Sequence, residues 1–202
     1  YLAAYSNSIY EGTRTNDVNC IVIYGMMFLL GCGKPKNEIE AQKYLKSAAD
    51  AGDVYSNLKY GMTLFDRERN EIKAENKEEC LHYLKKAADG RYVYAMYYYA
   101  YVLNKCDETG QNKEEVVIYY KKAADEGNVL AMNNYGAMLD DGIGIEKNKK
   151  EAARYYKMAA DEGYYYGMRN YGNLLSEGDG VEMNKEEAAS YYKMAADEGF
   201  TE

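Results

Sequence analysis

Ala131, Tyr135 and Leu139 stand at i, i+4 and i+8, one stripe of a helix predicted from about Val129 to Asp141. Gly142-Ile143-Gly144-Ile145 breaks that helix, and Ala152, Tyr155, Tyr156 and Ala159 form the apolar stripe of a second one. The same two-helix pattern returns along the chain. Tyr24-Gly25, Tyr60-Gly61, Tyr99-Ala100, Tyr135-Gly136 and Tyr171-Gly172 are 36, 39, 36 and 36 residues apart. Ala48-Ala49-Asp50, Ala87-Ala88-Asp89, Ala123-Ala124-Asp125, Ala159-Ala160-Asp161 and Ala195-Ala196-Asp197 follow at 39, 36, 36 and 36. A period of this length marks a stacked array of helical hairpins, each too small to bury its apolar face alone.

The period divides the chain into five units: 17–52, 53–91, 92–127, 128–163 and 164–199. Residues 1–16 fall outside it as an N-terminal segment with room for a preceding helix, and residues 200–202 read as the start of a further unit, so the chain is expected to stop in mid-array. The second unit is three residues longer, between Arg67 and Glu75, where a solvated loop tolerates insertion.

Each second helix (helix B) is preceded by an asparagine with a glutamate three residues on: Asn37 and Glu40, Asn76 and Glu79, Asn112 and Glu115, Asn148 and Glu151, Asn184 and Glu187. This spacing predicts five N-caps in which the asparagine accepts from a helix amide and the glutamate reaches back. Glycines 52, 127, 163 and 199 stop helix B, whereas the second unit has Arg91 at that place. Small residues beside the first-helix tyrosine, together with the Ala-Ala pairs, predict close approach of backbones. The tyrosines, 25 in all, then fill the core and reach its edges with their hydroxyls.

A net charge of −8 without a basic stripe argues against nucleic acid as a partner. No apolar run is long enough to span a bilayer, so membrane insertion is not expected. Cys20, Cys32, Cys80 and Cys106 form no CxxC pair. Cys20 and Cys80 align with small residues of sister units and read as small hydrophobes. Together they predict reduced thiols in a cytoplasmic protein and no metal site. The single histidine, His82, aligns with Lys43, Ile118, Arg154 and Ser190, a tolerant outer position.

With the hairpins, the Gly-x-Gly loop and the Ala-Ala-Asp-Glu-Gly ending placed, the chain resembles the Sel1-like repeat family, a relative of the tetratricopeptide repeat. The resemblance covers about 17–199 and rests on Ala131, Asn134, Tyr135-Gly136, Gly142, Gly144-Ile145, Ala152, Tyr155-Tyr156 and Ala159-Ala160. It recurs in Tyr171-Gly172, Gly178, Gly180-Val181, Ala188 and Ala195-Ala196. The second and third units depart at the loop, with Arg67 and Cys106 at the first glycine's place. The resemblance implies an all-α fold, an α/α solenoid of five repeats wound as a right-handed superhelix. It further implies a scaffold or adaptor role, with the first helix of each repeat (helix A) lining a concave groove.

Positions that vary between units are free to serve a partner. On helix A they fall at i, i+4 and i+7: Val22, Met26 and Leu29, then Leu58, Met62 and Phe65, then Tyr97, Tyr101 and Asn104. In the last two units they are Asn133, Ala137 and Asp140, and Arg169, Asn173 and Ser176. A groove running from apolar and Met-rich through aromatic to polar is expected, with a protein helix or peptide docked on Val22, Met26, Leu29, Leu58, Met62, Phe65, Tyr97 and Tyr101. The alternative occupant is the N-terminal segment itself, through Leu2, Tyr5, Ile9 and Tyr10. Two other roles stay open: a structural component of a larger assembly, and a regulatory region of a longer enzyme-containing chain.

Catalytic motifs are weak. Gly142-Ile143-Gly144 and Gly178-Asp179-Gly180 follow helices and lack the third glycine of a phosphate-binding loop. Ser56-Asn57-Leu58-Lys59 and Ser190-Tyr191-Tyr192-Lys193 match Ser-x-x-Lys, but no companion Ser-Asp-Asn or Lys-Thr-Gly is present. Acidic clusters at Asp140-Asp141 and Glu177 lack calcium-loop spacing. No catalytic residue, cofactor or metal is expected.

Overall fold

The computed structural model describes residues 2–66 and 71–199. These hold eleven α-helices: α1 (Leu2–Arg14), α2 (Val18–Leu30), α3 (Glu38–Asp50), α4 (Val54–Thr63), α5 (Lys77–Asp89), α6 (Val93–Cys106), α7 (Lys113–Asp125), α8 (Val129–Asp141), α9 (Lys149–Asp161), α10 (Tyr165–Glu177) and α11 (Lys185–Gly199). The even-numbered helices are helix A of successive repeats and the odd-numbered ones from α3 on are helix B. Among the described residues the only extended pairing is a two-residue ribbon, β1 (Phe65–Asp66) against β2 (Glu71–Ile72). The chain forms two compact units, residues 1–98 and 99–202. In the first, each of α1 to α4 packs on the next helix in sequence; in the second, each of α7 to α10 does the same.

One contact repeats in every hairpin. The helix A tyrosine meets a helix B tyrosine edge to face: Tyr24 and Tyr44 (4.9 Å between centroids), Tyr60 and Tyr83 (4.9 Å), Tyr99 and Tyr119 (4.8 Å), Tyr135 and Tyr155 (4.7 Å), Tyr171 and Tyr191 (5.0 Å). Interplanar angles of 79–89° place the positive edge of one ring on the negative face of the other. The glycine beside the helix A tyrosine is a socket for the next residue of helix B. A Cβ on Gly25 would lie 3.0 Å from Leu45, one on Gly61 2.8 Å from Leu84, and one on Gly136 2.9 Å from Tyr156. The small residue thus makes room for a side chain more than for a backbone, which refines the sequence expectation.

Between hairpins the contact is closer. A Cβ on Gly167 would stand 2.7 Å from that of Ala159 and 3.0 Å from the amide nitrogen of Ala160. The Ala-Ala pairs from Ala48 to Ala160 are fully or almost fully buried. Polar links run alongside: the Tyr155 hydroxyl donates to Asp125 (2.7 Å) and that of Tyr83 to Asp50. Lys46 binds Glu79, which also accepts from the Tyr60 hydroxyl (3.1 Å).

The N-terminal segment continues the pattern. In α1, Ile9 is buried, Tyr10 lies 5.7 Å from Tyr24, and Gly12 abuts Cys20 as Ala159 abuts Gly167. Asn16 has φ 58°, the left-handed conformation that Gly52, Gly127 and Gly163 supply after later B helices and that Arg91 adopts at φ 62°. Helix α1 therefore packs on α2 as a helix B, although its residues carry little of the repeat's composition.

Three of the five predicted asparagine caps form. Asn37, Asn148 and Asn184 accept from the amides of Glu40, Glu151 and Glu187, whereas Asn76 and Asn112 make no capping bond. The reason lies in the preceding loop. Where glycine pairs such as Gly142 and Gly144 take positive φ, the asparagine arrives extended, with Asn148 at φ −146°. Asn76 ends a single 3-10 turn at φ −97°, ψ −7°, and Asn112 sits at φ −101°, ψ 8°, which aims their side chains away from the helix amides. Asp107 replaces the missing glycine turn in the third repeat: one carboxylate oxygen accepts from the Gln111 amide (3.1 Å), the other from the Asn112 amide (3.0 Å) with Lys113 at 3.8 Å. The backbone amides of Asn37, Asn148 and Asn184 donate to helix A carbonyls instead of to the glutamates; Glu79 is spent on Lys46 and Tyr60, and Glu187 reaches back only to the Asn184 side-chain amide (3.0 Å). Helix A carries caps of its own, from Asp17, Asp53 and Asn128.

Two predictions follow from these local departures. Ser56 and Asn57 are buried, and the Ser56 hydroxyl and the Asn57 carbonyl oxygen have no hydrogen-bond partner. Sister repeats place Ile21, Met96, Met132 and Met168 where Asn57 stands. Asn57→Met is expected to stabilise the protein by about 1–2 kcal/mol in urea unfolding; equal or lower stability contradicts the assignment. Burial alone would raise the Asp107 carboxyl, but the Asn112 amide, Lys113 and the neighbouring amides outweigh it and hold it below its ordinary range. With the folded value depressed, the stabilisation is complete above about pH 4 and is lost as pH falls through the folded value. Asp107→Asn should lower the thermal midpoint at pH 7 and narrow the loss between pH 7 and pH 3; an unchanged acid slope refutes it.

Candidate partner-binding face

Helix α2 contains no Asp, Glu, Lys, Arg or His, and Asn19 is its only polar side chain besides the Cys20 thiol and the Tyr24 hydroxyl. Ile21, Tyr24 and Gly25 are buried. Opposite them Val22, Met26 and Leu29 are half-buried, and Met62 on α4 is likewise half-buried. Helix α1 covers the arc of α2 that bears Cys20 and Tyr24, and leaves Val22, Met26 and Leu29 accessible. The side chains of Leu2 and Tyr5 lie outside the described residues.

The structure corrects the rest of the apolar set. Leu58, Phe65 and Tyr97 are 2%, 7% and 9% exposed and belong to the core of residues 1–98. Phe65 is not on helix A at all. Helix α4 ends at Thr63, and without a loop glycine the chain runs into the β1–β2 ribbon, where Phe65 pairs with Ile72. The variation of these positions between repeats therefore tracks differences in packing. What remains accessible in the first unit is Val22, Met26, Leu29 and Met62; in the second unit Tyr101 is half-buried.

In residues 99–202 the helix A face is polar. The Asn170 amide donates to Asn133 (2.9 Å), the Tyr192 hydroxyl donates to Asn173 (2.8 Å), and the Arg169 guanidinium lies over the Tyr166 ring at 5.1 Å. Asn133 is 9% exposed, while Arg169 and Asn173 are open to solvent. The amides are thus partly spent on one another, and Arg169 is the one cation of this face at the variable positions.

The residues singled out for chemistry are dispersed. Ser56 is fully buried and the Lys59 ammonium lies 5.1 Å from the Tyr55 ring, so the Ser-x-x-Lys pair is not assembled. Ser190 donates to the Glu186 carbonyl within its own helix. Gly142, Gly144, Gly178 and Gly180 all have positive φ, and a Cβ on Gly180 would stand 2.5 Å from the Lys149 carbonyl carbon. These loops are shaped by packing on the preceding helix B, with Lys149 held by Asp140 and Asp179. Cys80 is buried, and burial, then Asp17, raises the Cys20 thiol above its ordinary value. His82 is exposed beside Tyr83. Among the described residues no group of three His, Cys, Asp or Glu is placed to hold a metal, and no helix is long and apolar enough to cross a membrane.

A broad cleft of about 600 Å³ runs along α9 and the α10–α11 loop, lined by Lys150, Arg154, Lys157, Tyr171 and Val181. Arg154 is tied to Glu151 and Lys157 to Asp161, which leaves little free charge for a ligand there.

The family model described as Sel1 repeat matches residues 20–53, 54–92, 93–128, 129–164 and 166–200. Among solved structures, a protective antigen of uropathogenic Escherichia coli with an SLR fold is 20% identical with a TM-score of 0.81, over 98% of this chain and 42% of its own. A Sel1 repeat protein of Oxalobacter formigenes is 23% identical with a TM-score of 0.75, over 97% and 84%. A cysteine-rich protein of Helicobacter pylori is 21% identical with a TM-score of 0.50, over 61% and 89%. This chain thus spans less than half the length of the E. coli antigen. A search of curated protein sequences returned no match.

Peroxide footprinting of methionines tests the accessible face. Met183 and Met194, about half exposed, should oxidise first, Met26 and Met62 next, and the buried Met96, Met132, Met138 and Met168 last. Oxidation of Met26 and Met62 no faster than Met132 would show the face to be closed.

Proposed function

The chain belongs to the Sel1 repeat family, whose α/α arrays generally serve as protein-interaction scaffolds, and we propose that it is a non-enzymatic adaptor that seats a helix or peptide of a partner protein on its helix A face. One observation carries this reading: α2 has no Asp, Glu, Lys, Arg or His yet leaves Val22, Met26 and Leu29 accessible. An apolar helix surface of that kind in a water-soluble array marks an interaction site. Methionines at 26 and 62 suit it, because an unbranched thioether side chain adapts to the shape it meets. The contact set is Val22, Met26, Leu29 and Met62, all in the first unit. Cys20 and Cys32, half-exposed and exposed and in no disulfide, support a reducing compartment, the cytoplasm.

Site-specific photocrosslinking tests the assignment. A benzophenone side chain at Met26 or Met62 should capture one defined protein from the source cell, and the same group at Lys122 on the outer face of α7 should not. Met26→Glu with Met62→Glu should cut recovery of that protein by more than about tenfold, as expected when charge replaces a desolvated apolar contact. Equal capture from Lys122, or unchanged recovery by the double variant, rules the face out.

A further inference from the structure

The repeats serve as controls for one another, and the first repeat departs from its sisters on the outside. Ile39, in the first turn of α3, is 80% exposed, and the other repeats hold Glu78, Glu114, Lys150 and Glu186 at its place. Leu30, the last residue of α2, is 63% exposed where the others hold Asp66, Lys105, Asp141 and Glu177. Ile23, two turns before Leu30 on the same side of α2, is exposed where the others hold Lys59, Tyr98, Asn134 and Asn170. The Asn37 amide donates to the Phe28 carbonyl (2.9 Å), which sets the start of α3 beside the end of α2, with Leu30 two residues past the acceptor and Ile39 two past the donor. The hairpin fold does not require these side chains, since four sister hairpins are built without them.

We propose that Ile23, Leu30 and Ile39 form a self-association face through which two copies of this chain meet about a two-fold axis. Charge selects a second copy as the occupant. A two-fold contact sets a surface against itself, so any net charge on it is repelled. Residues 1–98 carry thirteen Lys and Arg against thirteen Asp and Glu, and residues 99–202 carry twelve against twenty. The whole excess of −8 therefore lies outside the unit that bears the stripe. Lys34, Lys36, Glu38 and Glu40, next to Leu30 and Ile39 in sequence, add two charges of each sign, so this segment is neutral as well. The inference does not rest on the partner-binding face, which uses the neighbouring arc of α2.

Sedimentation velocity of the 202-residue chain over a hundredfold range of concentration tests it, with no partner present. The chain should pass from monomer to dimer as concentration rises. The variant Ile23→Asn, Leu30→Asp, Ile39→Glu, which installs residues that sister repeats carry at the same places, should raise the dissociation constant by more than about tenfold with an unchanged circular dichroism spectrum and melting temperature. A chain that stays monomeric throughout, or a variant that dimerises as the parent does, overturns the proposal. An unfolded variant shifts the decision to Ile39→Glu alone, for which unchanged dimerisation is equally fatal.

Discussion

The edge-to-face tyrosine pair inside each hairpin is the constraint from which the rest of the architecture follows. It fixes helix A against helix B in both distance and rotation, because a ring edge finds the partner's face over a narrow range of angles. Each pair contributes about 0.5–1.5 kcal/mol beyond the area it buries, a modest term repeated five times. Once the rings are set, the residue after the first tyrosine points at the residue after the second. That is why glycine or alanine follows Tyr24, Tyr60, Tyr99, Tyr135 and Tyr171, while the facing residue is free to be Leu45, Leu84, Tyr120 or Tyr156. The tyrosine hydroxyls end up at the hairpin edge, where burial and the Asp50 carboxylate push Tyr83 up to about 12 and keep it a donor. Packing inside one hairpin thereby supplies the polar link to its neighbour.

Much of this was legible from spacing alone. The period, the hairpins, the Ala-Ala contact and the αL stops are written in residue type, since each needs a small side chain or a positive φ at a fixed place. The features that escaped depend on how one segment delivers the next. Asn76 and Asn112 have the residue type and spacing of caps, but a cap works only if the backbone enters extended, and that is decided by two loop glycines whose places hold Arg67 and Arg69 in the second repeat and Cys106 and Glu108 in the third. Asp107 carried no periodic signal because it repairs one loop. Helix α1 was hidden for the opposite reason: it keeps the geometry of a helix B through Ile9, Gly12 and Asn16 while dropping the tyrosine and alanine pairs that define the others. The helix A caps Asp17, Asp53 and Asn128 went unread because they serve only some of the five starts, Tyr164 making no capping bond, so no period announces them.

The site was less legible, and Leu58 and Tyr97 show why. Variation between repeats was taken as freedom from packing, yet both are buried, so variation there reflects a core that accepts more than one filling. An array stabilised by nearest-neighbour contacts confines the cost of such a change to adjacent hairpins. That also explains how the second repeat tolerates a buried Ser56 hydroxyl and Asn57 carbonyl oxygen without hydrogen-bond partners. Phe65 shows a further limit, since a three-residue insertion took it off the helix on which the spacing placed it.

Variation becomes informative about function only when joined to exposure. At a buried position, departure from the repeat consensus is answered by the neighbouring side chains, and nothing outside the molecule need be involved. At an exposed position there is no such neighbour, and sister repeats show that charge or amide satisfies the fold. An apolar residue there stands in water without benefit to its own hairpin, at a loss of roughly 25 cal/mol for each Å² of apolar surface left uncovered. By that standard Asn133 and Tyr97 are packing, whereas Val22, Met26 and Leu29, with Leu30 and Ile39 beside them, are surface. The first repeat gathers three such residues on its outside, Ile23, Leu30 and Ile39, where later repeats hold fewer, at Ile118, Ile143, Met183 and Met194.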